Sequence, residues 1–481
     1  MNYKSIARLL GIVLIVLSFA MASSIVWSVY FDEPATTTAL AIAAMATFAS
    51  GYACYFFGRR QTGAIGRREA LVVVTASWFL IGAFGALPYL FDGAMPSFAD
   101  AFFESVSGFT TTGSTVLTEI ESLSHGLHYW RTLTHWLGGM GIVVLFIAIF
   151  PQLGVGAKHL FKSEVPGPIT EGLKPKIKET ASVLWKIYLG LTVVEIGLLY
   201  LAGMSFFDAM CHAFATLATG GFSTKNASIA YYDSASVDLI VTFFMFLAGV
   251  NFGLYYAFFK GRFTAIFRDT EFRVYTSIFV LVSLAITVDI LSRHPNFWQA
   301  LRYSSFQTIA IVTTTGFATD DFNLYPDFAR TLLVVLMFMG GSAGSTAGGM
   351  KVSRIIVVTK AAFIEIYKTF RPNAVRSVKL GNSVMSDDLT KSIYGFFALF
   401  LFMFVAGTLI MTLLGLDLVT ASTSVIATLG NIGPGLERVG AVENFAFIPA
   451  TGKYFLSFCM ILGRLELFTV FVLFVPDFWK R

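Results

Sequence analysis

Charge is what this chain of 481 residues has least of: Asp, Glu, Lys and Arg together make up 13% of it, against 56% hydrophobic residues. With a mean hydropathy of +0.72, that scarcity excludes a soluble globular protein and indicates an integral membrane protein. Cysteine is nearly absent. Cys54, Cys211 and Cys459 fall in separate apolar segments without CxxC spacing, which excludes a disulfide framework and a thiolate metal site. His125, His128, His135, His159, His212 and His294 show no ligand spacing and are expected to be packing or interfacial residues. No acid, base and nucleophile set marks the apolar runs, so no enzyme is expected. The short alternating segments of an outer-membrane barrel are missing too. Continuous apolar runs of roughly 18 or more residues take their place, each able to cross about 30 Å of hydrocarbon as a helix.

What the chain does contain is a repeat. Ser107 to Val116 reads SGFTTTGSTV, Ala218 to Thr224 reads ATGGFST, Val312 to Thr319 reads VTTTGFAT, and Leu429 to Leu436 reads LGNIGPGL. Aligned on Gly113, Gly221, Gly316 and Gly433, the copies stand 108, 95 and 117 residues apart. Each follows a short apolar and aromatic segment and is flanked by longer apolar runs, as expected of one membrane module used four times around a shared axis. The expected fold is an all-α integral membrane protein. It comprises an N-terminal helix pair (1–69) and four fused span, pore-helix, span modules (70–152, 153–262, 263–380 and 381–481) around a central pore, the third with a broken second span. That makes about ten spans and four half-helices. Lys4 and Arg8 precede an apolar run too long for a signal peptide, so it is taken as the first span.

Charge placement orients these elements. The links between modules carry Lys158, Lys162, Lys174, Lys176 and Lys178, then Lys260, Arg262, Arg268 and Arg273, then Lys351, Arg354, Lys360, Lys368, Arg371, Arg376 and Lys379. The motif side carries acids instead, among them Asp92, Asp100, Glu104, Glu119, Glu121, Asp233, Asp320, Asp321, Asp327, Glu437 and Glu443. Positive residues stay inside, which puts both termini and the links in the cytoplasm and opens the motifs to the outside.

The motifs suit a monovalent cation. An ion leaving water needs fixed oxygens, and backbone carbonyls supply them best from non-helical chain lining a cavity. Glycine admits the dihedrals that turn carbonyls inward, and Thr110, Thr111, Thr112, Thr313, Thr314 and Thr315 add hydroxyls on stiff side chains. The half-helices would aim their negative C-terminal ends at the pore. Two other features stand out. Gly340 to Gly349 reads GGSAGSTAGG where a helix centre is expected, and each glycine there costs about 1 kcal/mol relative to alanine, so the helix should open. A phosphate-binding loop is excluded, because Met350 stands where lysine is needed. Arg464 lies inside the last span, either as part of a gate facing a cavity or as a structural arginine paired with Glu195 or Glu466.

The motifs SGFTTTG, ATGGFST, TTTGFAT, GNIGPGL and GGSAGSTAGGMK resemble those of the Trk/Ktr/HKT superfamily of potassium transporters, most closely the bacterial Trk membrane subunits (TrkH/TrkG type), over essentially the whole chain. The resemblance implies K⁺ as the bound ion, with no organic cofactor. Its filter would be formed by Thr111, Thr112, Gly113, Thr219, Gly220, Gly221, Thr314, Thr315, Gly316, Asn431, Ile432 and Gly433. The fourth copy lacks a threonine before its glycine, so the filter should be asymmetric. The glycine-rich segment, with Gly341, Gly344, Gly348, Gly349 and Lys351, becomes an intramembrane loop under the filter, and Arg464 its companion in the gate. The resemblance further implies gated K⁺ uptake across the bacterial inner membrane. A K⁺/H⁺ or K⁺/Na⁺ symporter is the alternative, for which Glu195, Glu466 and Asp289 would be candidates. The implied assembly is a homodimer on a cytosolic nucleotide-binding regulatory subunit (TrkA type), docked through the basic links Gly154–Thr180 and Lys360–Lys391. Besides these the chain meets the lipid bilayer and no nucleic acid.

Overall fold

A computed structural model describes residues 1–60, 66–141, 177–374, 376–381 and 383–480, with only the backbone of 177–181. The first two helices, Tyr3–Tyr30 and Pro34–Gly58, form an antiparallel hairpin. Pro34 occupies the first turn of the second, where its missing N–H is no loss. Gly11 and Gly51 let the two backbones touch: a Cβ on Gly11 would lie 2.6 Å from the Gly51 carbonyl oxygen. Glu33, in the turn, fastens this hairpin to the rest. Its carboxylate accepts from the backbone N–H groups of His125 (2.7 Å) and Gly126 (3.1 Å), capping the helix His125–Gly139.

Four units of like design follow. The first consists of Arg67–Gly85, the pore helix Phe98–Phe109 and His125–Gly139. The second consists of Ile177–Leu201, the pore helix Phe206–Leu217, and Ala235–Ala248 with Phe252–Phe259. In the third come Thr270–Ile290, the pore helix Phe297–Val312, then Asp327–Met337 and Val352–Phe370. The fourth has Asp387–Leu413, the pore helix Leu418–Leu429, and Ala450–Leu465 with Leu467–Phe471. Side-chain caps start three of the pore helices: Ser205 accepts from Asp208 N, Asn296 from Gln299 N and Asp417 from Thr420 N, at 2.9–3.0 Å. The described strands are a two-stranded hairpin, Lys379–Leu380 with Ser383–Val384.

Among the described residues six helices are long and apolar enough to cross a membrane, or eight if each bent pair is one span. The expected total of about ten also includes Trp130–Phe150, described only as far as residue 141, and the broken span of the third unit. Apolar side chains such as Leu201, Val288 and Leu413 stand exposed on these spans, as lipid-facing groups do.

Two second spans that hydropathy reads as continuous are bent. Ala235–Ala248 meets Phe252–Phe259 at 92°, and Ala450–Leu465 meets the segment from Leu467 at 113°. At the first bend Asn251 restarts the helix by accepting from Gly253 N at 2.8 Å. At the second, Glu466 sits at φ +59° and its carboxylate holds Arg354 at 2.7 Å.

Candidate functional site: a four-part ring and the loop beneath it

All four pore helices end in the same way. Thr111, Thr219, Thr314 and Asn431 occupy the left-handed region, at φ +53° to +58°. Each donates its N–H three residues back, to Gly108, Thr216, Ile311 and Thr428. The next residue donates five residues back: Thr112 to Ser107, Gly220 to Ala215, Thr315 to Ala310 and Ile432 to Ala427, at 2.8–2.9 Å. This paired pattern is the Schellman termination, which satisfies the last carbonyls and turns the chain sharply off the helix axis. Glycine normally holds the left-handed position; a β-branched threonine there is strained by about 1–3 kcal/mol. The fourth copy, the most divergent in sequence, has asparagine, which tolerates the conformation better. Its pore helix therefore ends as the other three do.

The motif glycines close a ring. Each has positive φ: Gly113 +85°, Gly221 +79°, Gly316 +76° and Gly433 +104°. A Cβ on Gly113 would strike the Gly220 carbonyl oxygen, one on Gly221 that of Thr315, and one on Gly316 that of Ile432. A Cβ on Gly433 would come within 2.8 Å of the Thr112 carbonyl oxygen. Each copy thus abuts the carbonyl just before the next copy's glycine, in the order one, two, three, four, one. The carbonyls of Thr112, Gly220, Thr315 and Ile432 consequently occupy equivalent places around a common axis. Side chains break the symmetry: the hydroxyl pairs Thr110 with Thr112 (2.7 Å) and Thr313 with Thr315 (2.8 Å) occur in copies one and three only. Asn431 Nδ2 donates to Thr112 Oγ1 (2.9 Å), joining copy four to copy one, and to the Met460 carbonyl (2.9 Å).

The strand leaving each ring position is gripped from its own pore helix. Nine residues before the motif glycine stand Glu104, His212 and Gln307. Glu104 accepts from Val116 N (2.9 Å) and Thr115 Oγ1 (2.9 and 3.0 Å). His212 Nε2 meets Ser223 Oγ at 2.9 Å, and Gln307 Nε2 donates to the Asp320 carbonyl at 3.2 Å. In the fourth copy the grip comes from Thr423, whose Oγ1 accepts from Leu436 N at 3.0 Å. Glu104, one of the acids on the motif side, is wholly buried against Arg131 (2.7 Å). Arg131 also donates to the Ser223 carbonyl (2.9 Å), and its guanidinium lies 3.5 Å from the centre of the Phe222 ring. A single alignment of the four motifs puts a polar residue at this position of each copy; what it grips is visible only in three dimensions.

Under the ring lies the glycine-rich segment, non-helical from Phe338 to Lys351. Gly340 N donates to the Met350 carbonyl (2.7 Å), closing its neck. Gly348 N donates to Thr314 Oγ1 (2.7 Å), so the loop touches the base of the ring itself. Bends and loop fit one another: Ser342 N donates to the Gly249 carbonyl (2.8 Å), Thr346 Oγ1 to that of Ala248 (3.2 Å), and Phe252 N to that of Gly344 (3.0 Å). Gly341 lies against the Gly249 carbonyl, and Gly344 and Gly349 adopt φ +76° and +63°. Glu271 Oε1 accepts from both Ala343 N (2.9 Å) and Ser353 N (2.8 Å), pinning the two limbs together.

Both cations expected at this level reach the loop. Lys351 Nζ donates to the carbonyls of Ala347 and Gly348. Arg464 donates to the Thr346 carbonyl (2.9 Å) and to those of Gly138 and Gly139 in the first unit. Glu466 engages Arg354. Histidines pack: His135 Nδ1 meets the Gly108 carbonyl at 2.7 Å and its ring stacks on Phe222. His159 lies outside the described residues, as do Lys158, Lys162, Lys174 and Lys176. Among the described residues no group of His, Cys, Asp and Glu is arranged to hold a metal ion.

Such a ring, built of carbonyls and hydroxyls, is suited to a weakly hydrated monovalent cation. The family model described as TrkH, cation transport protein, matches residues 37–481. The Trk system potassium uptake protein TrkH of Salmonella typhimurium is 39% identical over 491 residues, covering 100% of both chains. TrkG of Escherichia coli K12, also named a Trk system potassium uptake protein, is 30% identical and covers 100% of this chain and 99% of its own. The crystal structure of the potassium transporter TrkH from Vibrio parahaemolyticus superposes with a TM-score of 0.90 at 36% identity, covering 100% of both chains. With residues 37–481 matched by the family model and its whole length covered by relatives 30–39% identical, the chain belongs to the TrkH family of cation transport proteins.

Proposed function

We propose that this chain is the membrane subunit of a bacterial K⁺ uptake system, a gated, channel-like pathway across the inner membrane with both termini in the cytoplasm. The observation that carries this reading is the closed ring of motif glycines, each backed on the next copy's carbonyl. K⁺ exchanges part of its water shell for oxygens of the backbone around Thr111, Thr112, Thr219, Gly220, Thr314, Thr315, Asn431 and Ile432. The pore helices direct their negative C-terminal ends at that point and favour a cation without a fixed carboxylate. No residue needs to bond covalently or transfer a proton. Positions beneath the ring are filled by the loop, which Thr314, Glu271, Lys351 and Arg464 hold in place, and ions pass when it withdraws. The partners we assign are a second copy of this chain and a cytosolic nucleotide-binding subunit.

Purified protein in liposomes under a K⁺ gradient tests the pathway. Opened by its partner, it should pass current whose reversal potential follows the K⁺ gradient alone. A reversal potential that shifts with an imposed H⁺ or Na⁺ gradient at constant K⁺ would favour coupled transport instead.

A further inference from the structure

Given the filter reading above, we infer that Glu104 and Arg131 are positioning residues that set the discrimination between K⁺ and Na⁺. Copies four and one are joined by hydrogen bonds without an ion pair, Asn431 Nδ2 to Thr112 Oγ1 and Ser114 Oγ to the Gly433 carbonyl, and the three other strand grips are local. His212, Gln307 and Thr423 each hold only the strand of their own copy. Glu104 and Arg131 hold two: the carboxylate takes Val116 N and Thr115 Oγ1 just past Gly113, while the guanidinium takes the Ser223 carbonyl just past Gly221. Gly113 is also where copy one abuts the Gly220 carbonyl. The pair therefore spans the joint between two adjacent ring positions from the outer side.

Both side chains are almost fully buried, at 0% and 1% exposure. A buried ion pair adds little net stability over apolar groups of similar size, because desolvating two charges offsets their attraction. Its effect here is geometric. Arg131 is clamped on one side by Glu104 and on another by the Phe222 ring, so its bond to the Ser223 carbonyl has little play. Spacing between carbonyls decides how well they replace the water of K⁺ and how poorly that of the smaller Na⁺. A charged strut across one joint holds that spacing; a softer joint would shrink around Na⁺.

The test uses the full-length protein and two variants. Glu104→Gln with Arg131→Met removes both charges together and leaves no unpaired buried ion. Arg131→Lys keeps the charge beside Glu104 but lacks the fork that reaches Ser223. Two readouts distinguish positioning from mere support: the K⁺/Na⁺ permeability ratio in liposomes, and the difference in Tm between K⁺ and Na⁺ solutions. A structural role would lower Tm equally in both salts. We expect Tm in Na⁺ to stay near the parent's, the K⁺-specific increment to be largely lost in the double variant and reduced in Arg131→Lys, and the permeability ratio to fall several-fold. A parental ratio in either folded variant overturns the inference. Absence of a K⁺-specific increment in the parent would count instead against the filter itself.

Discussion

Thr111, Thr219 and Thr314 occupy a backbone region that β-branched residues avoid, at about 1–3 kcal/mol each. Such strain persists only where the surroundings enforce it, and here the Schellman bonds and the abutting neighbour do so. The glycines two positions on are constrained in two ways, by positive φ and by a carbonyl in the place of any Cβ. Gly113→Ser or Gly316→Ser should therefore lower the K⁺/Na⁺ permeability ratio while the protein still inserts and purifies as the parent does. Parental ratios in both variants would show that the ring is not the filter. At this scale the motif glycines were legible because only glycine satisfies such a site and the four copies repeat it. Glu104 was not. An acid near an outer loop looks like a surface group until the returning strand and Arg131 bury it.

Among elements, the loop and the bends form one structure. Opening a helix between Phe338 and Lys351 frees carbonyls and N–H groups that the hydrocarbon cannot satisfy. The bend at Gly249 to Asn251 supplies Ala248 and Gly249 carbonyls to the loop and takes the Gly344 carbonyl in return. The glycine run announced the break in the third unit. Hydropathy carries the stretch around Gly249 and the last span around Glu466 through as continuous, because it has no term for a neighbour that satisfies a broken ladder. Arg464 ties the loop to Gly138 and Gly139, so its three carbonyl partners join the third and first units under the ring. Shortening Gly341–Gly349, or Arg464→Ala, should raise the resting K⁺ flux in liposomes without any partner. If both variants conduct at the parent's resting level, the loop is not what obstructs the path.

For the whole molecule, the question is what could move that loop. Its C-terminal limb runs straight into the helix Val352–Phe370, whose 19 residues span about 28 Å. The far end opens onto Arg371, Arg376 and Lys379, all exposed on the side assigned to the cytoplasm. A body docked on that basic surface would have a rigid lever on the loop, with Glu271 as the point the lever turns against, since it holds Ser353 at the root of the helix. In the other basic link, Lys174 and Lys176 lie outside the described residues. An acidic cytosolic partner is the occupant that charge complementarity favours, and it would supply the nucleotide response through this helix. Reversing Arg371, Arg376 and Lys379 to glutamate should then abolish most of the nucleotide-dependent change in K⁺ flux measured with the regulatory subunit present. The K⁺/Na⁺ ratio of the remaining flux should match the parent's, because the ring lies at the other end of the lever. Binding of the two purified proteins should weaken in parallel. Flux that answers nucleotide in this chain alone, or a triple variant regulated like the parent, would place the control elsewhere.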